Sequence, residues 1–411
     1  MSRSPNDRPM HPADLPPPTL VQDQAGLRGL LLELDRAHDV AVDTEGDSLY
    51  SYRESVCLIQ VTANERDWLV DPLGGLDLAR LGDVMADPRK RKVFHDGEYD
   101  VLSLKRDHGF QFRNLFDTRV AAATLGSKTP GLATVLLERF GIALDKSMQR
   151  SDWGQRPLTE KQIRYARLDT HFLIPLMDEQ IPELARTDRA VVVDTECRRL
   201  EALELPDHSF DPDEWSRIKG ARALPPSERQ ILRELFILRD GLAREANEPP
   251  FRVVNNETLI ALSLSKPRSS HAFRDVQGFS PRQARKFGDL VLAAVARGLA
   301  LGPIQRFPYL ESREGTDDFD EEQIELHERL KSVRKTFAEQ AGIDSAYVLN
   351  RHVLRRIALE KPLDIASLAR VAGIDPWQVE RLGTRLVEAV ARFESDRSAG
   401  LLELTQRRRR S

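Results

Sequence analysis

Val40, Ala41, Val42, Asp43, Thr44, Glu45, Gly46, Asp47 and Ser48 read VAVDTEGDS, an apolar run ending in two carboxylates one residue apart. On a strand, alternation sends Asp43 and Glu45 to the same face and turns Thr44 away. Two such charges about 5 Å apart repel by roughly 3 kcal/mol at an effective dielectric near 20, and no basic residue stands inside the motif. A divalent cation would relieve that repulsion. A strand end whose acids simply meet water is the alternative for a lone D-x-E, so partners elsewhere in the chain decide.

Two further acids occur in suggestive settings. Asp100 follows a short apolar strand (Val93, Phe94) and a turn at Asp96 and Gly97, at the start of a helix with Val101, Leu102 and Leu104 on one face. Asp169 lies on an amphipathic helix carrying Ile163, Ala166, Leu168, Phe172, Leu173 and Leu176. Tyr165 is four residues before it, so phenol and carboxylate share a face one turn apart.

A strand D-x-E, an Asp at a helix start and a helical Tyr-x-x-x-Asp, in this order, resemble the three exonuclease motifs of the DEDD superfamily, in its tyrosine branch. The sister branch has histidine five residues before the last Asp; here that position is Arg164. The stretches VCLIQV (56–61), LFDTRVAAATLG (115–126) and MQRSDWGQRPLTEKQIRYARLD (148–169) resemble the ribonuclease D family. With the C-terminal region, the likeness extends over nearly all of the chain beyond the first two dozen residues.

The resemblance implies a metal-dependent 3′→5′ exoribonuclease that releases nucleoside monophosphates from RNA 3′ ends, tRNA precursors among them. It implies two divalent ions, Mg²⁺ or Mn²⁺, which suit all-oxygen ligands. Asp43, Glu45 and Asp169 would hold the ion that activates water, while Asp43 bridges to a second ion supported by Asp100. Tyr165 would orient the attacking water, since a phenol of ordinary acidity is a poor base at neutral pH. His95, five residues before Asp100, reads as a packing or capping residue. Gly46 stands where many ribonuclease D-like chains carry a bulky side chain that helps wedge the terminal base. Two rivals stay open: a Werner-type DNA exonuclease, and a non-catalytic nucleic-acid-binding adaptor on a dead nuclease fold, which would be expected to lack at least one acid.

The chain has 411 residues, enough for two or three domains, and carries 61 Lys+Arg against 65 Asp+Glu, a formal net charge of −4. No global positive field draws it to nucleic acid, so any such surface is local. Cys57 and Cys197 are the only cysteines; they support neither a disulfide scaffold nor a Cys-based zinc site and fit a reducing cytoplasm. No apolar run approaches the roughly 18 residues of a membrane span, and the N-terminus has no apolar leader core.

In order, residues 1–18 read as a disordered tail and 19–205 as an α/β exonuclease domain, a mixed sheet flanked by helices of ribonuclease H-like architecture. A helix begins at Asp23, and strands at 56–61 and 68–70 form a meander with the acidic strand. Helices follow at 117–126, 132–140 and 161–183. VVVDTE at 191–196 repeats the letters of the site, yet the text continues with helical spacing, which points Asp194 and Glu196 about 200° apart on a solvated helix face. Residues 206–221 form a linker.

Beyond it, 222–302 and 320–395 repeat one helical plan, with Arg239 and Arg334, Asn256 and Asn350, Lys266-Pro267 and Lys361-Pro362, and Gly288 and Gly383 in matching order. Both stretches resemble the HRDC domain, a helical module of ribonuclease D and RecQ-type helicases. The acidic stretch 303–319 links them, and 396–411 is a basic tail. Residues 221–300 hold 13 Lys+Arg against 8 Asp+Glu, while the second copy is balanced. Arg268, Arg274, Arg282, Arg285 and Lys286 concentrate the surplus, as a solvated helix face or a phosphate-binding patch. Arg407 to Arg410 could touch a nucleic-acid backbone.

Overall fold

The computed structural model describes residues 10–205, 209–308 and 319–402. They form two units. The first joins residues up to Gly46 with Val56–Leu205 and the stretch from 319 onward; the second joins Asp47–Ser55 with 209–308. The Arg407–Arg410 run, and most of the stretch read as a linker between the helical copies, lie outside the described residues.

In the first unit, β1 (Thr19–Val21) precedes α1 (Gln24–Arg36), which starts where the Asp23 carboxylate accepts the Gly26 amide at 2.7 Å. The acidic strand β2 (Asp39–Gly46) runs antiparallel to β3 (Val56–Ala63), and β3 to β4 (Arg66–Val70), forming the expected meander. Then come α2 (Ala79–Ala86), β5 (Arg91–Phe94), α3 (Glu98–His108), β6 (Leu115–Asp117), α4 (Thr118–Thr124) and α5 (Leu132–Phe140). The six strands lie in the order β1-β4-β3-β2-β5-β6, with β1, β5 and β6 pairing in parallel. The acidic strand is therefore central, and its Val40, Ala41 and Val42 are fully buried.

Several expectations need correction. Residues 10–18 were expected to be disordered, but Leu15 packs half-buried beside Ile142, Phe172 and Leu176. The helix expected over 161–183 is two helices, α6 (Glu160–His171) and α7 (Leu173–Arg186), joined at Phe172. Next, α8 (Ala190–Glu201) carries the repeated D-T-E letters; it is a helix as expected, but its face is not uniformly solvated. Asp194 is exposed, whereas Glu196 is buried and accepts Arg199 Nε at 2.9 Å.

The second unit contains α9 (Pro226–Ala246), α10 (Pro250–Val253), α11 (Asn256–Ser265) and α12 (Pro281–Leu301). The first unit ends in the matching set: α13 (Glu321–Ala341), α14 (Ser345–Val348), α15 (Arg351–Glu360), α16 (Ile365–Leu368) and α17 (Pro376–Ser398). The internal wiring repeats. Arg239 donates to the Val254 carbonyl and Arg334 to that of Leu349; Gln283 donates to Val253 and Gln378 to Val348. Lys266 and Lys361 both end their helices in the left-handed conformation, at φ 47° and 48°. The residue equivalent to Asn350 is Asn255, which caps α11, and not Asn256, whose carboxamide oxygen accepts from Arg239. With that shift of one, Arg239/Arg334, Asn255/Asn350, Lys266/Lys361, Gln283/Gln378 and Gly288/Gly383 all stand 95 residues apart.

The second copy is docked on the exonuclease half of its own unit. Trp377 Nε1 donates to Thr195 Oγ1 of α8 at 3.0 Å, Arg198 pairs with Asp375 at 2.7 Å, and Val192 belongs to the copy's own apolar core. Arg381 reaches Asp188 at 2.7 Å and Arg119 reaches the Tyr347 hydroxyl at 3.0 Å. Among the described residues, no helix is long and apolar enough to cross a membrane.

Candidate active site

Asp43 and Glu45 sit on central strand β2, opposite Gln60 and Leu58 of β3, and the register slips between Glu45 and Gly46. Helix α6 packs over β2 and β3 and carries Tyr165 and Asp169. Its start is fixed by a capping box in which Thr159 and Gln162 satisfy one another's backbone amides. One carboxylate oxygen from each of Asp43, Glu45 and Asp169 lies within 4.8 Å of the others. Among the described residues, no other group of three His, Cys, Asp or Glu side chains approaches so closely.

Asp100 is in the first turn of α3 and 5 % exposed. Its Oδ1 accepts both the Thr44 amide at 2.9 Å and the Thr44 hydroxyl at 2.6 Å. Thr44, which alternation turns away from the D-x-E face, thus couples the acidic strand to the third acid. A second buried carboxylate sets the entry to α3. Asp117 accepts the Asp96 amide at 3.2 Å and that of Gly97 at 2.8 Å, while also capping α4 through Arg119 and Val120. Neither Thr44 nor Asp117 was singled out from sequence, although an Asp before a helical run is a readable capping signal.

Tyr165 and Asp169 line the same cavity, and the Tyr165 ring lies 5.9 Å from that of buried Trp153. The loop bearing Trp153 is fixed by Arg156, which grips Asp71 with two bonds of 2.6 and 2.7 Å and donates to the Cys57 and Trp153 carbonyls. Beside the phenol a cavity of about 140 Å³ is lined by Leu132, Leu144, Lys146, Gln149, Tyr165 and Asp169, among others. His95 is a packing residue in this structure, with Nδ1 2.8 Å from Thr118 Oγ1. Burial holds its pKa down at about 4.

The electrostatics follow from burial. Desolvation, then the charges of Asp100, Asp169 and Glu45, hold the Asp43 carboxyl well above the carboxylate range. Desolvation with Asp169 and Asp100 raises Glu45 to about 9, and desolvation with Asp100 raises Asp169 to about 8. Asp100 reaches only about 6, because the Thr44 bonds favour its ionised form. Burial and Asp169 push the Tyr165 phenol upward as well, so it keeps its proton. Four crowded acids, with no cationic side chain among the causes that shift them, form a donor set of hard oxygens. That set fits Mg²⁺ or Mn²⁺ and poorly suits softer metals.

The five basic residues expected as a patch belong to the second unit. Arg268, Arg274, Arg282, Arg285 and Lys286 are all exposed, and among the described residues none is held in an ion pair. Lys286 rests 4.9 Å from the Phe287 ring centre.

A mixed sheet with converging acids on β2, α3 and α6, followed by a duplicated helical module, defines a 3′-5′ exonuclease domain with two HRDC domains. The 3′-5′ exonuclease family matches residues 18–185, and the HRDC domain matches 228–295 and 323–390. A ribonuclease D of Zymomonas mobilis is 32% identical over 292 residues, which are 69% of this chain and 73% of that protein. The chain belongs to the ribonuclease D family of 3′→5′ exoribonucleases. An exosome complex component 10 homolog of Caenorhabditis elegans is 35% identical over 61% of this chain, but the chain spans only 29% of that protein. The crystal structure of the catalytic core of RRP6 from Trypanosoma brucei superimposes with a TM-score of 0.67 at 27% identity, covering 74% of this chain and 84% of that one.

Proposed function

We propose that this chain removes nucleoside monophosphates from RNA 3′ ends, tRNA precursors among them, in the cytoplasm. The observation that carries the reading is the convergence of Asp43, Glu45 and Asp169 within 4.8 Å, in a half-buried, crowded setting that raises the pKa of each. Those three, with Asp100 beside them, would hold two divalent ions, Mg²⁺ or Mn²⁺. Bound there, the ions supply positive charge for the attacking and leaving oxygens of an in-line phosphoryl displacement.

The remaining work falls to the chain's own residues. Asp100, anchored by Thr44, keeps a fixed carboxylate next to Asp43. Tyr165 keeps its proton and, one helical turn from Asp169, orients the nucleophilic water as a donor or acceptor rather than as a base. The cavity lined by Leu132, Leu144 and Lys146 provides an apolar wall for the terminal base and one cation for its phosphate. In the second unit, Arg268, Arg274, Arg282, Arg285 and Lys286 hold RNA backbone, since each is exposed and, among the described residues, outside any ion pair.

Matched 3′-labelled RNA and DNA oligonucleotides, incubated with the protein and Mg²⁺ or Mn²⁺, test the reading. Stepwise release of labelled mononucleotide from RNA is expected. Release from DNA alone would move the chain to the Werner-type reading, and no release from either would leave only a binding role.

A further inference from the structure

The chain leaves the first unit at Gly46, one residue after Glu45, and re-enters it at Val56; the nine residues between pack with the second unit. That excursion is closed on itself. Asp47 Oδ1 accepts the Ser55 amide at 2.6 Å and its Oδ2 the Ser51 hydroxyl at 2.5 Å, while its carbonyl accepts the Tyr50 and Ser51 amides at 2.7 and 2.9 Å. Its two tyrosines are committed to the first HRDC copy. The Tyr52 hydroxyl donates to Asp240 Oδ1 of α9 at 2.6 Å, and its ring packs on that copy's apolar core. The Arg252 guanidinium of α10 stands 4.2 Å from the Tyr50 ring centre. Asp240 is only 7 % exposed, and its second oxygen takes Arg244 at 2.6 Å, so loss of the phenol would strip a buried carboxylate of a donor.

At the other end the loop joins the strand just where regular pairing fails. The β2–β3 register slips between Glu45 and Gly46. The ladder therefore does not continue past Glu45 unchanged, and the closed loop constrains that strand end together with Asp107, whose carboxylate accepts the amide of Val56, the residue opposite Gly46, at 2.7 Å. A passive connection would need neither a sealed base nor a buried acceptor at its tip.

We propose that residues 47–55 are a positioning strap: through Tyr50 and Tyr52, the first HRDC copy sets the backbone that carries Glu45. The inference rests on the exonuclease reading above. Tyr50 and Tyr52 act through Glu45 and are positioning residues, with no part in holding substrate. The state of the first copy then reaches the carboxylate cluster through the chain itself.

The test uses the full chain with Tyr52→Phe, Asp240→Asn, the pair combined, and Arg252→Gln, which removes only an exposed cation above Tyr50. Turnover and KM are measured on a five-nucleotide 3′-labelled RNA with Mg²⁺, and amide hydrogen exchange is followed over residues 45–56. Tyr52→Phe should lower turnover by about 5- to 10-fold with KM unchanged, because small misplacements of reacting groups are costly. It should also speed exchange at 45–56, and the double variant should be no worse than the worse of Tyr52→Phe and Asp240→Asn, as for two halves of one contact. Arg252→Gln should shift both readouts in the same direction by less. Unchanged exchange at 45–56, or faster exchange with wild-type turnover, would overturn the strap. A rise in KM alone would make the loop a substrate contact and overturn it equally. If the wild type cleaves no RNA, the exonuclease reading fails, while the exchange arm still reports whether the loop is held.

Discussion

The two HRDC copies share their wiring and differ in what they show outward. At matching positions 95 residues apart, the first copy has Ser280, Arg282 and Lys286 where the second has Asp375, Trp377 and Arg381. In the second copy these three reach Arg198, Thr195 and Asp188 of the exonuclease half. In the first copy Arg282 and Lys286 are exposed, and the charge surplus gathers around them. One helix start has thus been used twice, once to bind protein and once as a free cationic face. Buried positions keep the module folded in both copies, and only surface letters needed to change, which is where substitutions cost least.

The sharpest way to break this comparison is to show that either copy performs chemistry. Asp43→Asn, nearly equal in volume and with one fewer charge among crowded acids, should reduce RNA hydrolysis by about 10²-fold or more. Its RNA affinity and thermal midpoint should stay at wild-type values. Activity near wild type in Mg²⁺ would remove the carboxylate cluster from the mechanism.

The next test pits the matching faces against each other. Trp377→Ala should cost about 3–5 kcal/mol in chemical denaturation, since a 5 % exposed indole and its bond to Thr195 are lost together. The first copy's counterpart, Arg282→Ala with Arg285→Ala and Lys286→Ala, should change stability by only about 0.5 kcal/mol per site or less. It should instead flatten the slope of log RNA affinity against log salt by about 2 to 3 units. Equal stability losses in both variants would mean the faces do the same work.

A smaller effect distinguishes the docked unit by its acid response. Asp67 is buried; desolvation raises its pKa, but His171, Arg167 and Thr62 together outweigh this and hold it below the ordinary value of 3.8. A depressed carboxylate contributes stability above its unfolded pKa and loses it as pH falls through the folded value. Asp67→Asn should therefore cost about 2 to 3 kcal/mol between pH 5 and 7, and the gap from wild type should narrow below about pH 4. A gap that is constant down to pH 2.5 would show that the ion cluster does not govern acid stability.

Sequence reading reached the acids because alternation and helical spacing are strictly local. Asp43 with Glu45, and Tyr165 with Asp169, follow from periods of two and of nearly four. Strands β1 and β6 were not legible, since three residues each are too few to display a period. The break at Phe172 was hidden because the apolar spacing runs through it. Thr44 needed the third dimension: that its hydroxyl meets Asp100, 56 residues away, depends on how α3 follows β5. The same holds for α8, read as a solvated face although Thr195 and Glu196 are buried, because the surface covering that helix comes from the docked second copy. Membership of residues 47–55 in the second unit could not be read either, since Tyr52 and Asp240 are 188 residues apart.

That separation has a consequence in time. A ribosome adds about 5 to 20 residues per second, so the 188 residues from Tyr52 to Asp240 take roughly 10 to 40 s to synthesise. During that interval the sheet can pair while the loop leaving its acidic strand has nothing to hold. A nascent chain would thus carry all four acids before the partner of its strap has been made. The finished arrangement of Glu45 belongs only to a chain whose first helical copy has emerged and folded.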